Sequence, residues 1–347
     1  MSNFSLHADS ANQLLHGGRL RAAAAHYGIP VADWLDLSTG INPHGWPVPA
    51  IPSTTWERLP EDDDGLQQAA RTYYGTDALL AVAGSQAAIQ ALPRLRPRCR
   101  VGVIAPGYNE HAHAWQRAGH NVIPVSANGL DSAAADVDVL VIIHPNNPTG
   151  TWFSVETMFH WHAQLAARGG WLVVDEAFID AMPEHSLTPH CPRLGLIVLR
   201  SLGKFFGLAG ARVGFVCAES SLIEALRALL GPWTVAAPSR HIAIQALADH
   251  DWQETARCRL VHHSERLAAL LTQYGLAPNG GCALFQWVCT PQAAALHEQL
   301  ARHGILTRLF DTPASLRLGL PGNDSDWARL AATLVTVCQP ILHRAAR

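Results

Sequence analysis

The chain has 347 residues, of which 48% are hydrophobic and 15% are charged, and its formal net charge is −3. This length predicts roughly two domains with a substantial apolar core. The small, unclustered net charge argues against a nucleic-acid-binding surface and against a basic face for membrane binding, so any anionic ligand must be bound by a local group of arginines.

The N-terminal part of the chain contains short elements separated by glycine and proline. A helical pattern covers residues 19–27, and residues 34–38, Trp-Leu-Asp-Leu-Ser, are typical of a strand. A second helical pattern, residues 65–74, stops at a glycine. A strand at residues 81–83 then leads into a helix that begins at Gly84-Ser85-Gln86. A serine beside free backbone N–H groups at a helix start suits an anion.

Further along, short apolar strands alternate with helical patterns. These strands are continuous apolar runs, as expected where helices cover both faces of a sheet. The predicted strands span residues 101–105, 137–143, 171–174, 196–199 and 213–217, and the helices among them span residues 155–168 and 220–230. The alternation predicts an α/β fold with a large, mostly parallel sheet.

Gly231-Pro232 marks the predicted domain boundary. Beyond it, helical patterns at residues 240–274 and from residue 324 enclose strand candidates at 283–288, 305–308 and 315–318. This mixture predicts a smaller α+β domain. We therefore expect residues 46–232 to form the large domain, and residues 1–45 with 233–347 to form an N-terminal arm and the small domain.

One loop carries an amine and two potential phosphate ligands. Ser201 lies three residues before Lys204 and Arg212 lies eight residues after it. This combination suits pyridoxal 5′-phosphate, whose aldehyde reacts with a lysine and whose phosphate accepts charge-assisted hydrogen bonds. Taken alone, such a stretch is more often a surface loop with a solvated lysine, so its meaning depends on the rest of the chain.

Three polar residues follow three successive predicted strands. Asn147, Asp175 and Lys204 are separated by 28 and 29 residues, each the length of one strand-and-helix crossover. The carboxyl ends of parallel strands meet at one edge of a sheet, which is where open α/β sheets bind ligands. We therefore predict that these three side chains share one site.

The motifs, in this order, resemble those of the aspartate-aminotransferase superfamily, the fold-type-I pyridoxal-phosphate enzymes. The resemblance covers nearly the whole chain and implies a seven-stranded sheet in the large domain, a small domain built from both termini, and a homodimer with sites at the subunit interface. The motifs are Gly84-Ser85-Gln86, Tyr108, Asn147-Pro148-Thr149-Gly150, Asp175-Glu176-Ala177, Ser201-x-x-Lys204 and Arg212.

The resemblance also assigns roles to these residues. Lys204 would bind the cofactor covalently, and Asp175 would keep the pyridine nitrogen protonated, so that the ring accepts an electron pair. Asn147 would donate to the ring oxygen, and Tyr108 would stack on the ring. The residues expected at the cofactor phosphate are Gly84, Ser85, Gln86, Ser201 and Arg212. Plainer interpretations are a helix N-cap for Asp175, a turn residue for Asn147 and a packing residue for Tyr108.

The N-terminal stretch narrows the reaction. His16-Gly17-Gly18-Arg19, followed by Asn42-Pro43-x-Gly45, is similar to the L-threonine-O-3-phosphate decarboxylases of cobalamin biosynthesis. Histidinol-phosphate aminotransferases share Asn-Pro-x-Gly but generally lack the His-Gly-Gly arm. Two glycines let backbone N–H groups approach a phosphate, although a flexible terminal turn is the plainer interpretation. The resemblance implies decarboxylation of L-threonine O-3-phosphate to (R)-1-amino-2-propanol O-2-phosphate, with a histidinol-phosphate-type aminotransferase as the alternative.

Two arginines are candidates for the substrate's anionic groups. Arg317 matches the arginine that binds the substrate carboxylate in the superfamily, and its planar fork fits a carboxylate. Arg308 is a second cation nearby in sequence, for which a surface arginine is the plainer interpretation. The residues expected to anchor carboxylate and phosphate are Gly17, Gly18, Asn42, Arg308 and Arg317, and which arginine takes which anion stays open.

The sequence departs from the superfamily at two positions. Phe178 stands where many relatives carry a tyrosine that hydrogen-bonds the ring oxygen. Leu59 stands where relatives carry a tyrosine that reaches the cofactor phosphate of the other subunit. We expect the cofactor's ring oxygen and the cross-subunit contact to differ accordingly.

Cysteine and histidine usage bears on location and metal binding. The seven cysteines are scattered and never form Cys-x-x-Cys, which predicts neither a disulfide framework nor a zinc site and favours the cytoplasm.

The start of the chain lacks a signal-peptide pattern, and no apolar run approaches about 18 residues, so no membrane span is expected. Histidines two positions apart face different ways on a helix, so we expect solvated histidines and no metal. The histidines two positions apart are His111 with His113 and His160 with His162, and His262 and His263 form an adjacent pair.

Overall fold

The computed structural model describes residues 16–345. The helices in this range are α1 (Leu20–Tyr27), α2 (Leu66–Tyr74), α3 (Ser85–Ala91), α4 (Asn109–Arg117), α5 (Leu130–Asp136), α6 (Val155–Ala166), α7 (Ser220–Leu230), α8 (Ala237–Ala248), α9 (His250–Gln273), α10 (Ala293–Arg302) and α11 (Asp324–Ala345). The strands are β1 (Leu35–Asp36), β2 (Leu79–Val82), β3 (Arg100–Ile104), β4 (Asn121–Val125), β5 (Val139–Ile143), β6 (Trp171–Asp175), β7 (Leu196–Ser201), β8 (Gly214–Cys217), β9 (Gly280–Cys282), β10 (Phe285–Cys289), β11 (Ile305–Leu306), β12 (Arg308–Phe310) and β13 (Ser315–Gly319).

Within residues 16–345, the large sheet has seven strands in the order β2-β8-β7-β6-β5-β3-β4. Strands β3 to β7 run parallel to one another, whereas β8 is antiparallel to both of its neighbours. Every residue of β5 is buried, because each apolar side chain meets helices on one face or the other. The predicted α/β fold with a large, mostly parallel sheet is confirmed.

The edge strand β4 is absent from the sequence prediction. It contains Pro124, and only one of its five residues, Val125, is buried, unlike the apolar runs of the central strands. Proline cannot donate to a strand ladder, so it is confined to edges of a sheet. The proline and the mixed exposure explain why an apolar-run criterion missed this strand.

The small sheet has the order β12-β13-β10-β9 and is antiparallel. The strand predicted at residues 305–308 is in fact two strands, which separate at Thr307. Ile305–Leu306 pairs in parallel with Leu35–Asp36 of the N-terminal segment, and Arg308–Phe310 pairs with the strand that carries Arg317. The N-terminal segment is thereby attached to the small-domain part of the chain.

A second segment from the N-terminal region packs on the loop that carries Lys204. The backbone N–H of Asn42 donates to the Lys204 carbonyl at 3.0 Å, and that of Trp46 donates to the Phe206 carbonyl at 2.8 Å. A Cβ on Gly207 would lie 2.5 Å from the Cα of Gly45, so both chains approach closely only because glycine occupies these positions. This packing holds residues 42–46 against the loop that carries Lys204.

The helix α8 follows the predicted boundary at residue 232 and packs against α2. Arg240 on α8 donates a hydrogen bond to Asp64 at 2.6 Å. Burial on its own raises the pKa of the Asp64 carboxyl group, but the hydrogen bonds from Arg240 and from the Leu66 backbone together outweigh burial, so the pKa is lowered overall. No helix within residues 16–345 is both long enough and apolar enough to cross a membrane.

Candidate active site

Polar residues gather at one edge of the large sheet, in the same order as the strands. Because β8 runs antiparallel, the residue that precedes it lies at the edge where the other strands end. From one side of the sheet to the other, these residues are Ser85 after β2, Arg212 before β8, Ser201 and Lys204 at and after the end of β7, Asp175 ending β6, Asn147 after β5 and Tyr108 after β3.

The amine of Lys204 is partly buried and lies next to Thr39 of the N-terminal segment. Its Nζ donates to the Thr39 carbonyl at 3.4 Å and lies 5.4 Å from the centre of the Phe178 ring. Burial, helped by the positive charge of Arg317, lowers the pKa of Lys204 to about 8, although Asp175 opposes the shift. A substantial neutral fraction near pH 8 suits an amine that must attack an aldehyde.

Asp175 is buried and is held by one group from α4 and one from the turn that directly follows it. Its Oδ2 accepts a hydrogen bond from His111 Nε2 at 2.9 Å, and its Oδ1 accepts one from the Ala177 backbone N–H at 3.1 Å. Both the carboxylate and the imidazole are almost inaccessible to water. The pair therefore fixes a carboxylate in one orientation at the end of β6.

The expectation of solvated histidines is wrong for His111 and His162. Both are buried, and His162 Nε2 donates to the Leu194 carbonyl at 2.9 Å. His111 lies on the first turn of α4, three residues after Tyr108, and that spacing from a site residue on a helix is the signal that could have identified it. Among residues 16–345, no group of three or more His, Cys, Asp and Glu side chains is placed to hold a metal ion.

The start of α3 packs closely against the Arg212 side chain and against the backbone of β8. A Cβ on Gly84 would lie 2.6 Å from Nη2 of Arg212, and a Cβ on Gly214 would lie 2.5 Å from the Ser85 backbone nitrogen. Gly214 pairs in register with Ser201, so the hydroxyl, the guanidinium and the helix start converge. Arg212 itself has φ 53°, a left-handed conformation that is costly for a non-glycine residue.

Tyr108 and Gln86 are joined in a hydrogen-bonded group beside this helix start. The Tyr108 hydroxyl donates to Gln86 Oε1 at 3.2 Å, and Gln86 Nε2 donates to Glu110 at 2.7 Å. Burial raises the pKa of Tyr108 to about 12, with help from the charge of Glu110. The phenol is therefore neutral and acts as a donor at ordinary pH.

Arg317 connects the large sheet, the small sheet and the N-terminal arm. Its Nη1 donates to Asn147 Oδ1 at 2.6 Å, and its Nη2 donates to the Ser38 carbonyl at 2.5 Å. The Ser38 hydroxyl oxygen in turn accepts the backbone N–H of Gly18 at 2.8 Å. A Cβ on Gly17 would lie 2.3 Å from the Ser38 carbonyl oxygen, so the arm lies directly against this residue.

Arg308 lies directly opposite Arg317 on the adjacent strand, as its Cα partner. Arg308 is partly buried, with its guanidinium 5.2 Å from the Phe310 ring centre. Burial, and secondarily the charge of Arg308, lowers the pKa of Arg317 to about 10. Two cations on neighbouring strands form a site for an anion, or for a ligand with two anionic groups.

Asn42 has a different environment from the other residues expected to bind substrate. Its side chain is 2% exposed, with Nδ2 donating to the Phe205 carbonyl at 2.8 Å and Oδ1 accepting the His44 backbone N–H at 2.9 Å. The amide nitrogen thus holds the backbone next to Lys204, and the amide oxygen holds the turn of Asn42's own segment. The structure places Asn42 behind the loop, where it supports the lysine.

A cavity of about 860 Å³ opens beside these residues. The arm residues Gly17 and Gly18 form one side of it, Tyr108 lies on the large-sheet side, and Arg308 lies on the small-sheet side. The cavity therefore adjoins the arm, Tyr108 and the small sheet, whereas Lys204, Asp175, Asn147 and Arg317 are not among the residues that line it.

Comparison with known proteins gives a consistent picture. The profile of the family described as Aminotransferase class I and II matches residues 54–334. The chain is 56% identical to a threonine-phosphate decarboxylase of Pseudomonas aeruginosa over 327 residues, which cover 94% of this chain and 99% of that protein. It is 42% identical to a threonine-phosphate decarboxylase of a Sinorhizobium species, over 92% of this chain and 97% of that one.

A solved structure shares the fold. The histidinol-phosphate aminotransferase of Sinorhizobium meliloti, in complex with pyridoxal-5′-phosphate, superposes with a TM-score of 0.83 at 22% identity and covers 98% of this chain and 100% of its own. The profile match spans most of the sequence, and two relatives align over nearly their full length. The chain belongs to the class I and II aminotransferase family.

Proposed function

We propose that this chain is a pyridoxal-phosphate-dependent carboxy-lyase that converts L-threonine O-3-phosphate to (R)-1-amino-2-propanol O-2-phosphate and carbon dioxide. The observation that carries the proposal is the 56% identity to a threonine-phosphate decarboxylase across 94% of the chain. The Cα–carboxylate bond breaks, and a proton takes the place of the carboxylate on Cα. The paired arginines on the small sheet support a substrate with two anionic groups.

The residues at the carboxyl edge of the sheet fit the cofactor. The contact between Gly84 and Arg212 leaves no room for a Cβ, which keeps a guanidinium beside backbone N–H groups, as a phosphate requires. Lys204 has a depressed pKa, as a reactive amine requires. When bound, pyridoxal phosphate supplies a conjugated ring that accepts the electron pair of the breaking bond.

Each residue has a proposed task. Lys204 holds the cofactor through its amine and, once that amine is released, delivers to Cα the proton that replaces the carboxylate, since a pKa near 8 allows it to carry that proton at neutral pH. Asp175 holds a negative charge at the ring nitrogen, in an orientation set by His111. Asn147 and Tyr108 contact the ring. The residues proposed at the phosphate are Gly84, Ser85, Gln86, Ser201 and Arg212.

The substrate's carboxylate and phosphate are proposed to bind between the two sheets. Arg317 and Arg308 supply the positive charge, and the backbone of Gly17 and Gly18 closes the site from the arm. The hydrogen bond between Arg317 and Asn147 orients the guanidinium relative to the ring-binding residues. We assign Asn42 to holding the Lys204 loop instead of binding substrate, because its amide is already bound to backbone.

We also propose that the protein is a homodimer of the cytoplasm. Trp56 and Leu59 are more than half exposed, and Trp233 lines a second cleft of about 690 Å³ that Pro60 also borders. Exposed large apolar side chains such as Trp56 and Leu59 suit contact with a second copy. Light scattering of the purified protein measures the mass, and a monomer at micromolar concentration would refute the dimer.

The assay for the reaction is release of carbon dioxide from threonine phosphate by the purified, cofactor-loaded protein. We expect stoichiometric release with no 2-oxo acid present. The aminotransferase alternative instead requires a 2-oxo acid and transfers the amino group of histidinol phosphate to 2-oxoglutarate, giving glutamate. Glutamate formation without carbon dioxide would overturn the proposal. Lys204→Ala serves as the inactive control, because it removes the amine but leaves Asp175 and the phosphate-binding residues in place.

A further inference from the structure

Glu110 is the second residue of α4 and collects hydrogen bonds from three donors on two other segments of the described chain. His16 Nε2 on the arm donates to Oε1 at 2.7 Å. Gln86 and Gln90, both on α3, donate to Oε2 at 2.7 and 3.0 Å. The carboxylate side chain is only 13% exposed, whereas the His16 side chain is 43% exposed, so these charge-assisted contacts join a largely buried carboxylate to a donor at the surface of the arm.

The partners of Glu110 lead to both sides of the site. On one side, Gln86 accepts the Tyr108 hydroxyl and so fixes the ring proposed to stack on the cofactor. On the other side, His16 immediately precedes Gly17 and Gly18, and the Gly18 backbone N–H reaches Ser38. The Ser38 carbonyl accepts a hydrogen bond from the Arg317 guanidinium. The arm is therefore attached at both ends of this short run, to Glu110 at His16 and to Ser38 at Gly18.

We propose that Glu110 is a positioning residue that clamps the N-terminal arm over the substrate site through His16, and so sets the affinity for the substrate's anionic end. The inference rests on the proposed function, since it treats Gly17 and Gly18 as the part of the arm that faces substrate. Glu110 touches no reacting atom in this account. Without the clamp, the arm glycines lose one of their two attachments and the site admits water.

A simpler role for Glu110 is to stabilise α4, because an acidic residue in the first turn of a helix interacts favourably with the helix dipole. The chain offers a matched control for that role. Glu156 is also the second residue of its helix, α6, and its side chain is exposed. Removal of Glu156 tests the dipole contribution without touching the arm.

The kinetic experiment compares Glu110→Ala with Glu156→Ala in the holoenzyme. For Glu110→Ala we expect the KM for threonine phosphate to rise about tenfold while kcat stays within about twofold, the pattern for lost binding that ground and transition states share. Glu156→Ala should leave both constants unchanged. Cofactor absorbance should match the unaltered protein, and any increase in cofactor Kd, which the loss of the Glu110–Gln86 hydrogen bond can cause, should be smaller than the rise in KM. A Glu110→Ala variant that resembles Glu156→Ala, or that lowers kcat and cofactor affinity at unchanged KM, overturns the proposal.

A double-mutant cycle with His16→Ala separates the clamp from a general loosening of α4. If the two residues act as a pair, the double variant has the KM of the single ones, because either change opens the same contact. Independent effects that multiply would contradict the clamp. Glu110→Gln, which keeps the size of the side chain, provides the same comparison should Glu110→Ala fold poorly.

Hydrogen exchange of the amides tests the clamp without any substrate. In Glu110→Ala, we expect faster exchange at residues 16–19, above all at Gly18, with unchanged exchange in β5. Unchanged exchange at Gly18 would refute the clamp even where decarboxylation is confirmed. Faster exchange at Gly18 in a protein that releases no carbon dioxide from threonine phosphate would instead uphold the contact and reject the proposed function.

Discussion

At the scale of single residues, the carboxylate of Asp175 depends on the imidazole of His111 for its orientation. The two groups are 2.9 Å apart and nearly inaccessible to water. A buried carboxylate that loses a hydrogen-bond donor is left partly unsatisfied, which costs about 1–3 kcal/mol. The sequence motif around Asp175 gives no indication of this partner, because His111 lies on α4, 64 residues away in the sequence.

We predict that His111→Leu weakens pyridoxal-phosphate binding about tenfold or more and lowers kcat, since Asp175 is then free to turn away from the ring nitrogen. Fluorescence titration of the apoprotein with cofactor measures the Kd. His113→Leu is the control, because His113 lies on the same helix and is only partly buried. Equal Kd values for the two variants would show that the Asp175 contact has no role in cofactor binding.

A second residue-scale prediction concerns pH. The pKa of Lys204 is lowered to about 8, and only the neutral amine attacks the aldehyde, so the rate of cofactor incorporation should rise with pH and level off above about pH 8. Stopped-flow absorbance of apoprotein mixed with cofactor measures this rate. Because Arg317 contributes to the lowered pKa, Arg317→Met should move the midpoint to higher pH. A midpoint that stays in place would mean that burial alone sets the shift.

At the scale of elements, the turn that carries Asn147 packs backbone to backbone against β9 of the small sheet. A Cβ on Gly150 would lie 2.1 Å from the Gly281 carbonyl oxygen, and a Cβ on Gly280 would lie 2.1 Å from the Thr149 carbonyl oxygen. Such contacts leave no space for any side chain. They hold Asn147 on the large sheet within hydrogen-bond distance of Arg317 on the small one.

We predict that Gly150→Ala is far more damaging than Gly169→Ala. Both glycines have positive φ, 73° and 67°, but a Cβ on Gly169 would meet nothing within 4 Å. Gly169→Ala should therefore cost only the backbone strain, about 1–2 kcal/mol, whereas Gly150→Ala adds a steric clash of about 1–3 kcal/mol or more. Urea unfolding midpoints give the comparison. Similar midpoints for the two variants would show that the turn and β9 separate easily.

At the scale of the whole molecule, much of the architecture follows from regular features of the sequence. The nearly equal spacing of Asn147, Asp175 and Lys204 reflects one strand and one helix per unit, and the structure does place these residues at the ends of three neighbouring strands. Continuous apolar runs identified the central strands because burial on both faces leaves no room for polar positions. These features are local and repeat along the chain.

The features that sequence reasoning missed are contacts between distant segments. The antiparallel direction of β8, the division of the strand near Thr307 and the burial of His111 each depend on what packs beside the segment. Glu110 shows the same limit. In the sequence it is an ordinary first-turn acid, and only the fold brings His16, 94 residues away, to its carboxylate.

Arg308 and Arg317 stand opposite each other across two hydrogen-bonded strands, and like charges in that register repel. This repulsion helps to lower the pKa of Arg317, after the larger effect of burial, and an anionic ligand between the two strands would reduce it. By thermodynamic linkage, a ligand that binds only the folded protein raises its melting temperature with concentration. We therefore expect the small sheet to be a part of the protein whose stability depends on a doubly anionic substrate, so that the supply of substrate and the fraction of protein that is folded are coupled.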